Sequence, residues 1–254
     1  MAAGETPGAS RAGPGSGPGL LAGARPDGRT GVGPDRAGGH VVRLVLWRHG
    51  RTPWNAEHRF QGLADVPLDD VGREQARDAA RYLAAMDPAA IFSSDLARAM
   101  ETGAALAELT GLAVQPEKYL RERGGGAWEG LTNTEIRERY PDAYATWAPP
   151  GGEPIAGVAD RVSAALSRIA DELTDGSLAV VVSHGAAINL GMSRLLGLPE
   201  EARILGPLDN CSWSVLGRRA DRWRLLEHNV GQLPDLDPAL VPVLAAGPEE
   251  AATQ

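Results

Sequence analysis

The chain of 254 residues has one cysteine, Cys211, two phenylalanines and no long apolar run. A single cysteine excludes an internal disulfide and fits the reducing cytoplasm, where the protein is expected to reside. No stretch approaches the roughly 18 apolar residues of a membrane span, so no membrane association is expected. Positive charge is also short: 25 Lys and Arg stand against 33 Asp and Glu, a net charge of -8. That balance argues against a general affinity for nucleic acid or an anionic membrane. A small anion could still bind, but only in a local basic pocket. With 43% hydrophobic and 23% charged residues, the composition is that of an ordinary globular protein, and the length suffices for a substantial core.

Residues 1–40 hold 12 glycines and five prolines, and after Met1 their only sizeable aliphatics are Leu20, Leu21 and Val32. Such a segment buries too little apolar surface to offset its ordering entropy, and it lacks the apolar core of a signal peptide. It is expected to be a disordered tail before one domain over residues 41–232. Residues 233–254, ending in "GPEEAATQ", read as a loop-like C-terminal tail.

Within the domain, strands and helices alternate. "VVRLVLW" (41–47), "AAIFSS" and "SLAVVVSH" read as strands, with "CSWSVLG" and "RWRLLEHN" as two final ones. "LDDVGREQARDAARYLAAM" reads as a helix with Asp69 as N-cap. Further helices are expected from about Asp95 to Leu109, in "TNTEIRERY" where Pro141 stops it, over 155–174, and in "GAAINLGMSRLLG". This alternation predicts an α/β three-layer sandwich, a mostly parallel sheet with helices on both faces.

Two of these strands end alike. Val41–Trp47 runs into Arg48-His49-Gly50-Arg51, and Leu178–Ser183 runs into His184-Gly185, although the chain has only five histidines. Burying a cation costs several kcal/mol unless something compensates, so arginines at the end of a buried strand suggest a bound anion. In open α/β sheets ligands bind beyond the carboxyl ends of the strands. If the two strands are neighbours, His49 and His184 face each other there, and the glycines after them let the backbone approach a ligand closely. Arg98, one turn into the helix of "SSDLARAMET", and Glu122, between Arg121 and Arg123 in "LRERGGGAWEG", could join the same edge. A metal site would need three or four converging ligands; none are spaced for it, and no metal or cofactor is expected.

"RHG" after the first strand, "SDLARAMET", a Glu before "AWEG" and a late "SHG", in that order, resemble the histidine phosphatase superfamily. The resemblance runs from about Val41 to Asn229 and implies the phosphoglycerate mutase-like fold. It implies that His49 is a nucleophile that becomes phosphorylated, that Arg48, Arg98 and His184 form a phosphate pocket, and that Glu122 is the proton donor. Asn55 and Thr52 in "RTPWN" would contact phosphate, and Gln61 and Gly62 in "FQGLADVPL" would lie on the substrate side. With Gly50, Arg51 and Gly185 these make up the expected substrate-binding set.

The superfamily holds both phosphatases and mutases. The stretch after the Glu loop is short here, and Trp147 is followed by Ala148-Pro149-Pro150 instead of the paired arginines of the mutases. Arg51 stands where many mutases have Glu. A small cover admits water to a phosphohistidine, so hydrolysis of a small phosphorylated metabolite is expected. A mutase, or a non-catalytic binder of phosphorylated ligands, is the alternative. "TWAPPGGE", "DNCSWSVL" and "WRLLEHN" resemble the actinobacterial branch that contains the glucosyl-3-phosphoglycerate phosphatases. Trp128 and Trp147 are expected on the substrate side, Cys211 in the core, and Glu129 beside an arginine or exposed. Arg218, Arg219, Arg222 and Arg224 should mark a hairpin with a solvated face. The sequence leaves oligomeric state open, a homodimer included.

Overall fold

The computed structural model describes residues 41–199 and 204–231; the two expected tails, 1–40 and 233–254, lie outside the described residues. A six-stranded sheet runs through the domain. Its strands in chain order are β1 (Val41–Arg48), β2 (Ala90–Ser93), β3 (Val114–Pro116), β4 (Leu178–Ser183), β5 (Trp213–Arg219) and β6 (Arg222–Val230), arranged β3-β2-β4-β1-β5-β6. The first four strands are parallel, and the β5–β6 hairpin closes one edge antiparallel.

The two-residue period of the strands divides the core between the faces. Val42, Leu44 and Leu46 of β1 join Ala179 and Val181 of β4 on one side. Val45 and Trp47 join Leu178, Val180 and Val182 on the other. Helices α6 (Ile155–Glu172) and α7 (Gly185–Leu196) cover the first face, and α2 (Asp70–Ala84) and α3 (Ala97–Thr110) the second. Both middle strands are apolar on two sides because both sides are roofed. Asp69 caps α2 through Gly72 N–H at 2.7 Å.

Three elements differ from the sequence reading. Strand β3 and the single-turn α1 (Pro53–Ala56) are too short to show a period. Pro141 does more than stop α4 (Asn133–Arg139): it opens α5 (Pro141–Thr146) at the first helical position, where its missing N–H is not needed. Between them the chain turns at Tyr140.

The turn after β1 is wedged against α2. A Cβ on Gly50 would lie 2.4 Å from the Gly72 carbonyl oxygen, and one on Gly72 would lie 2.0 Å from that of Arg51. Both contacts are with backbone, so nothing flexible can yield. Gly72→Ala is expected to cost about 1–3 kcal/mol of stability, seen as a Tm drop of roughly 2–4 °C per kcal/mol in thermal unfolding. Gly157→Ala, on α6 with open space around it, should leave Tm unchanged or raise it; equal losses at both positions would refute the wedge.

Candidate active site

Strands β1 and β4 pair with Arg48 opposite Ser183, so the next residue of each, His49 and His184, emerges at the same level of the sheet edge. Their ring centroids are 5.1 Å apart at 60°, and both are almost completely buried. His49 Nδ1 lies 2.7 Å from the Gly50 carbonyl. A carbonyl only accepts, so Nδ1 carries the proton and Nε2 keeps its lone pair. Asn210 Nδ2 and Cys211 N–H both donate to the His49 carbonyl and fix the backbone. Burial, then the Arg98 and Arg48 cations, hold His49 well below the usual histidine range. His184 is lowered in the same way, by burial first and then by Arg98. Both rings are therefore neutral.

Arg98 is the second residue of α3 and has no exposed surface. Its fork donates to the carbonyls of Ala64 (2.8 Å) and Gly62 (2.9 Å). Arg48 donates to the Leu208 carbonyl. Burial lowers both guanidinium groups, Arg98 to about 10, which still leaves them charged at neutral pH. Three buried nitrogens in this cluster have no partner among the described residues: Arg48 Nε, Arg98 Nε and His184 Nδ1. Unpartnered buried polar nitrogens are costly and uncommon, and the two free guanidinium N–H groups beside His49 could receive an anion.

Glu122 approaches from the loop after Leu120. Its carboxylate accepts from the N–H groups of Arg123 (2.8 Å), Ala187 (3.0 Å) and Ala186 (3.2 Å), the last two at the start of α7, whose first amides have no helical partner. Arg161 of α6 pins the segment, donating to the carbonyls of Tyr119, Arg121 and Glu122 while paired with Glu153. Ser183 Oγ ties the same segment to β4 through the Leu120 carbonyl.

A cavity of about 220 Å³ brings together Arg48, His49, Asn55, Gln61, Gly62, Arg98 and Glu122, all named from the sequence. The Asn55 carboxamide oxygen is occupied by the Thr52 N–H, the Thr52 hydroxyl and Asn210, so its NH₂ is the end available to a ligand. Thr52 thus works through Asn55 and does not line the cavity. Arg51 does not line it either: its guanidinium is paired with Asp69 at 2.8 Å. Gly50 is part of the α2 wedge and donates its N–H to Thr102. Gly185 borders a second, adjoining cavity of about 560 Å³, which shares Arg48, Glu122, Arg123 and Trp147 with the first and continues along α7 past Asn189 and Ser193.

Arg59, Phe60 and Arg123 also line the smaller cavity, and the sequence reading did not single them out as site residues. Arg123 had a signal, its place beside Glu122; Arg59 had none. Trp147 faces both cavities, whereas Trp128 is fully buried behind it, edge-on to Trp147 and Phe60. Glu129 serves backbone, accepting from Leu63 and Gly125, and its charge acts on Arg98 without a direct salt bridge. Arg218 is not on a solvated face: it pairs with Asp171 and lies over the Trp223 ring. Cys211 is buried, and burial pushes its thiol up to about 12, which makes it unreactive. Among the described residues no helix is long and apolar enough to cross a membrane, and no three His, Cys, Asp or Glu side chains converge as metal ligands would.

Residues 44–231 match the model of the histidine phosphatase superfamily, branch 1. A glucosyl-3-phosphoglycerate phosphatase of Mycolicibacterium vanbaalenii is 41% identical over 209 residues, covering 73% of this chain and 93% of its own. The solved structure of a mycobacterial glucosyl-3-phosphoglycerate phosphatase with VO3 superposes with a TM-score of 0.70 at 37% identity, covering 74% and 99%. A probable phosphoglycerate mutase of Salmonella paratyphi C is 35% identical over 190 residues, covering 72% and 88%. The paired strands, the His-Gly edge they form and these matches lead to one conclusion: the chain belongs to the histidine phosphatase superfamily.

Proposed function

We propose that this phosphatase hydrolyses a small phosphomonoester through a phosphohistidine on His49. The observation that carries the proposal is the pair of buried guanidinium N–H groups, Arg48 Nε and Arg98 Nε, that have no partner among the described residues and flank a neutral His49 whose Nε2 lone pair is free. A phosphate monoester is a dianion, and Arg48 and Arg98 would neutralise it with fixed, directional donors. In the first step Nε2 bonds to phosphorus and the ester P–O bond breaks, the leaving oxygen taking a proton from Glu122. In the second step water attacks phosphorus, Glu122 takes its proton, and the P–N bond breaks. Splitting one displacement into two lowers each barrier.

The leaving group would occupy the larger cavity, since Glu122, Arg123 and Trp147 stand where the two cavities meet. Its volume suits an alcohol larger than glycerate, and the relatives' names make glucosyl-3-phosphoglycerate the first substrate to try. Trp147, which faces both cavities, is followed by Ala148-Pro149-Pro150 and not by an arginine pair, which supports hydrolysis over mutase transfer.

Phosphate release from p-nitrophenyl phosphate, the phosphoglycerates and glucosyl-3-phosphoglycerate, in excess EDTA, tests the proposal. Wild type should release phosphate, and His49→Ala should abolish release; activity surviving in His49→Ala refutes the nucleophile. Glu122→Gln should lower kcat about 10²- to 10⁴-fold on alkyl esters and much less on p-nitrophenyl phosphate, whose leaving group needs little protonation. Equal losses on both would remove Glu122 from the proton-donor role.

Stability should carry the signature of the two neutral histidines. The unfolded chain takes up protons near pH 6.5 that the folded site refuses, so stability is complete above that pH and falls as pH drops below it. The slope is at most about 1.4 kcal/mol per pH unit for each histidine. Denaturant unfolding between pH 7.5 and 5 should show this fall, shallower in His49→Gln; an unchanged slope would mean that His49 is protonated in the fold.

A further inference from the structure

We infer that Ser94 is a positioning residue that fixes the tautomer of His184, so that His184 offers the phosphoryl group an N–H and not a lone pair. The inference rests on the phosphatase reading of the site. Ser94 follows β2, where parallel pairing sets Ser93 opposite Val182 of β4, and its N–H donates to the Val182 carbonyl at 2.9 Å. That register brings its hydroxyl beside His184, with Oγ 2.8 Å from Nε2. Both residues are completely buried. The Leu96 N–H donates to the same oxygen at 3.4 Å, which occupies one of its two lone pairs.

The hydroxyl proton then has one use. Among the described residues Ser94 Oγ has no contact with any acceptor except His184 Nε2. If Nε2 carried the proton, it would donate to Oγ, and the hydroxyl hydrogen would be left buried and unpaired, which is costly. If the hydroxyl donates instead, Nε2 is the acceptor and the ring proton sits on Nδ1. Nδ1 is also the ring nitrogen that has no partner among the described residues. A bare lone pair there would repel an arriving phosphate, whereas an N–H binds it.

His49 is the counterpart. Its Nδ1–H is spent on the Gly50 carbonyl, which leaves the Nε2 lone pair for attack. Both rings thus hold their proton on Nδ1, but one presents its lone pair and the other its N–H. One backbone acceptor and one serine hydroxyl divide two chemically identical side chains into nucleophile and donor. Ser94 also opens the Ser-Asp-Leu turn that leads into α3, so one segment sets His184 and delivers Arg98.

The test is ¹⁵N NMR of the histidine-labelled full chain at pH 7.5, with resonances assigned through His184→Gln and His49→Gln. The expected result is a protonated Nδ1 and an unprotonated Nε2 on His184. A protonated Nε2 in wild type overturns the inference without any variant. In Ser94→Ala the His184 signals should move toward the other tautomer, and kcat on p-nitrophenyl phosphate should fall roughly 10- to 100-fold. Ser94→Thr, which keeps the hydroxyl, should recover most of both. Ser94→Ala with wild-type signals and kcat within twofold would also overturn it. If the wild type shows the expected tautomer but releases no phosphate, the phosphatase reading fails and the hydrogen-bond assignment stands.

Discussion

Two arginines without a salt bridge, Arg98 fully buried and Arg48 half-buried, set the terms for everything around them. Arg48 and Arg98 make no salt bridge with the described residues, and a buried, unpaired charge costs several kcal/mol. The direct compensation is backbone, the carbonyls of Gly62 and Ala64 on Arg98 and of Leu208 on Arg48, and the Glu122 charge acts on both from nearby. The loop at residues 60–65 is therefore shaped around Arg98. Gly62 sits at φ +54° where a side chain would strike Glu129, and Glu129 in turn braces Leu63 and Gly125. The same positive field, added to burial, keeps both histidines neutral, which a nucleophile requires and a protonated ring would forbid.

In the proposed mechanism each reacting group is held in place by residues that do not themselves react. Thr52 and Asn210 turn Asn55, Arg161 grips three carbonyls around Glu122, and Ser183 ties that loop to β4. Apart from the local Thr52–Asn55 bond, these bonds join segments far apart in the chain. Preorganised donors are worth most where water is excluded and nothing must reorganise during the reaction.

The parts of the fold with a strong period were readable in advance. The five-residue apolar run Leu178–Val182 of β4 and the alternating faces of β1 can be satisfied only by a sheet covered on both sides, and the two His-Gly endings meet at one edge of it. Short elements were not readable: β3 has three residues and α1 four, too few to display a repeat. Pro141 misled because a proline that ends one helix is equally suited to start the next. Arg51 looked like part of the anion site because it adjoins His49 in sequence, yet a side chain's direction depends on its partner, here Asp69 at the start of α2.

The sequence by itself determined the sheet, its helical cover and the chemical kinds gathered at its edge, because hydrophobic period and residue type are local properties of the chain. It also put Arg98 and Glu122 on elements that could reach that edge. Only the tertiary structure decided which groups face the cavity and in what state. Ser94, Arg59 and Arg161 acquire their roles from neighbours some 40 to 90 residues away. The neutrality of the histidines comes from burial and from cations on two separate elements. Such properties belong to distances between chain segments, and no linear pattern records them before the chain has folded.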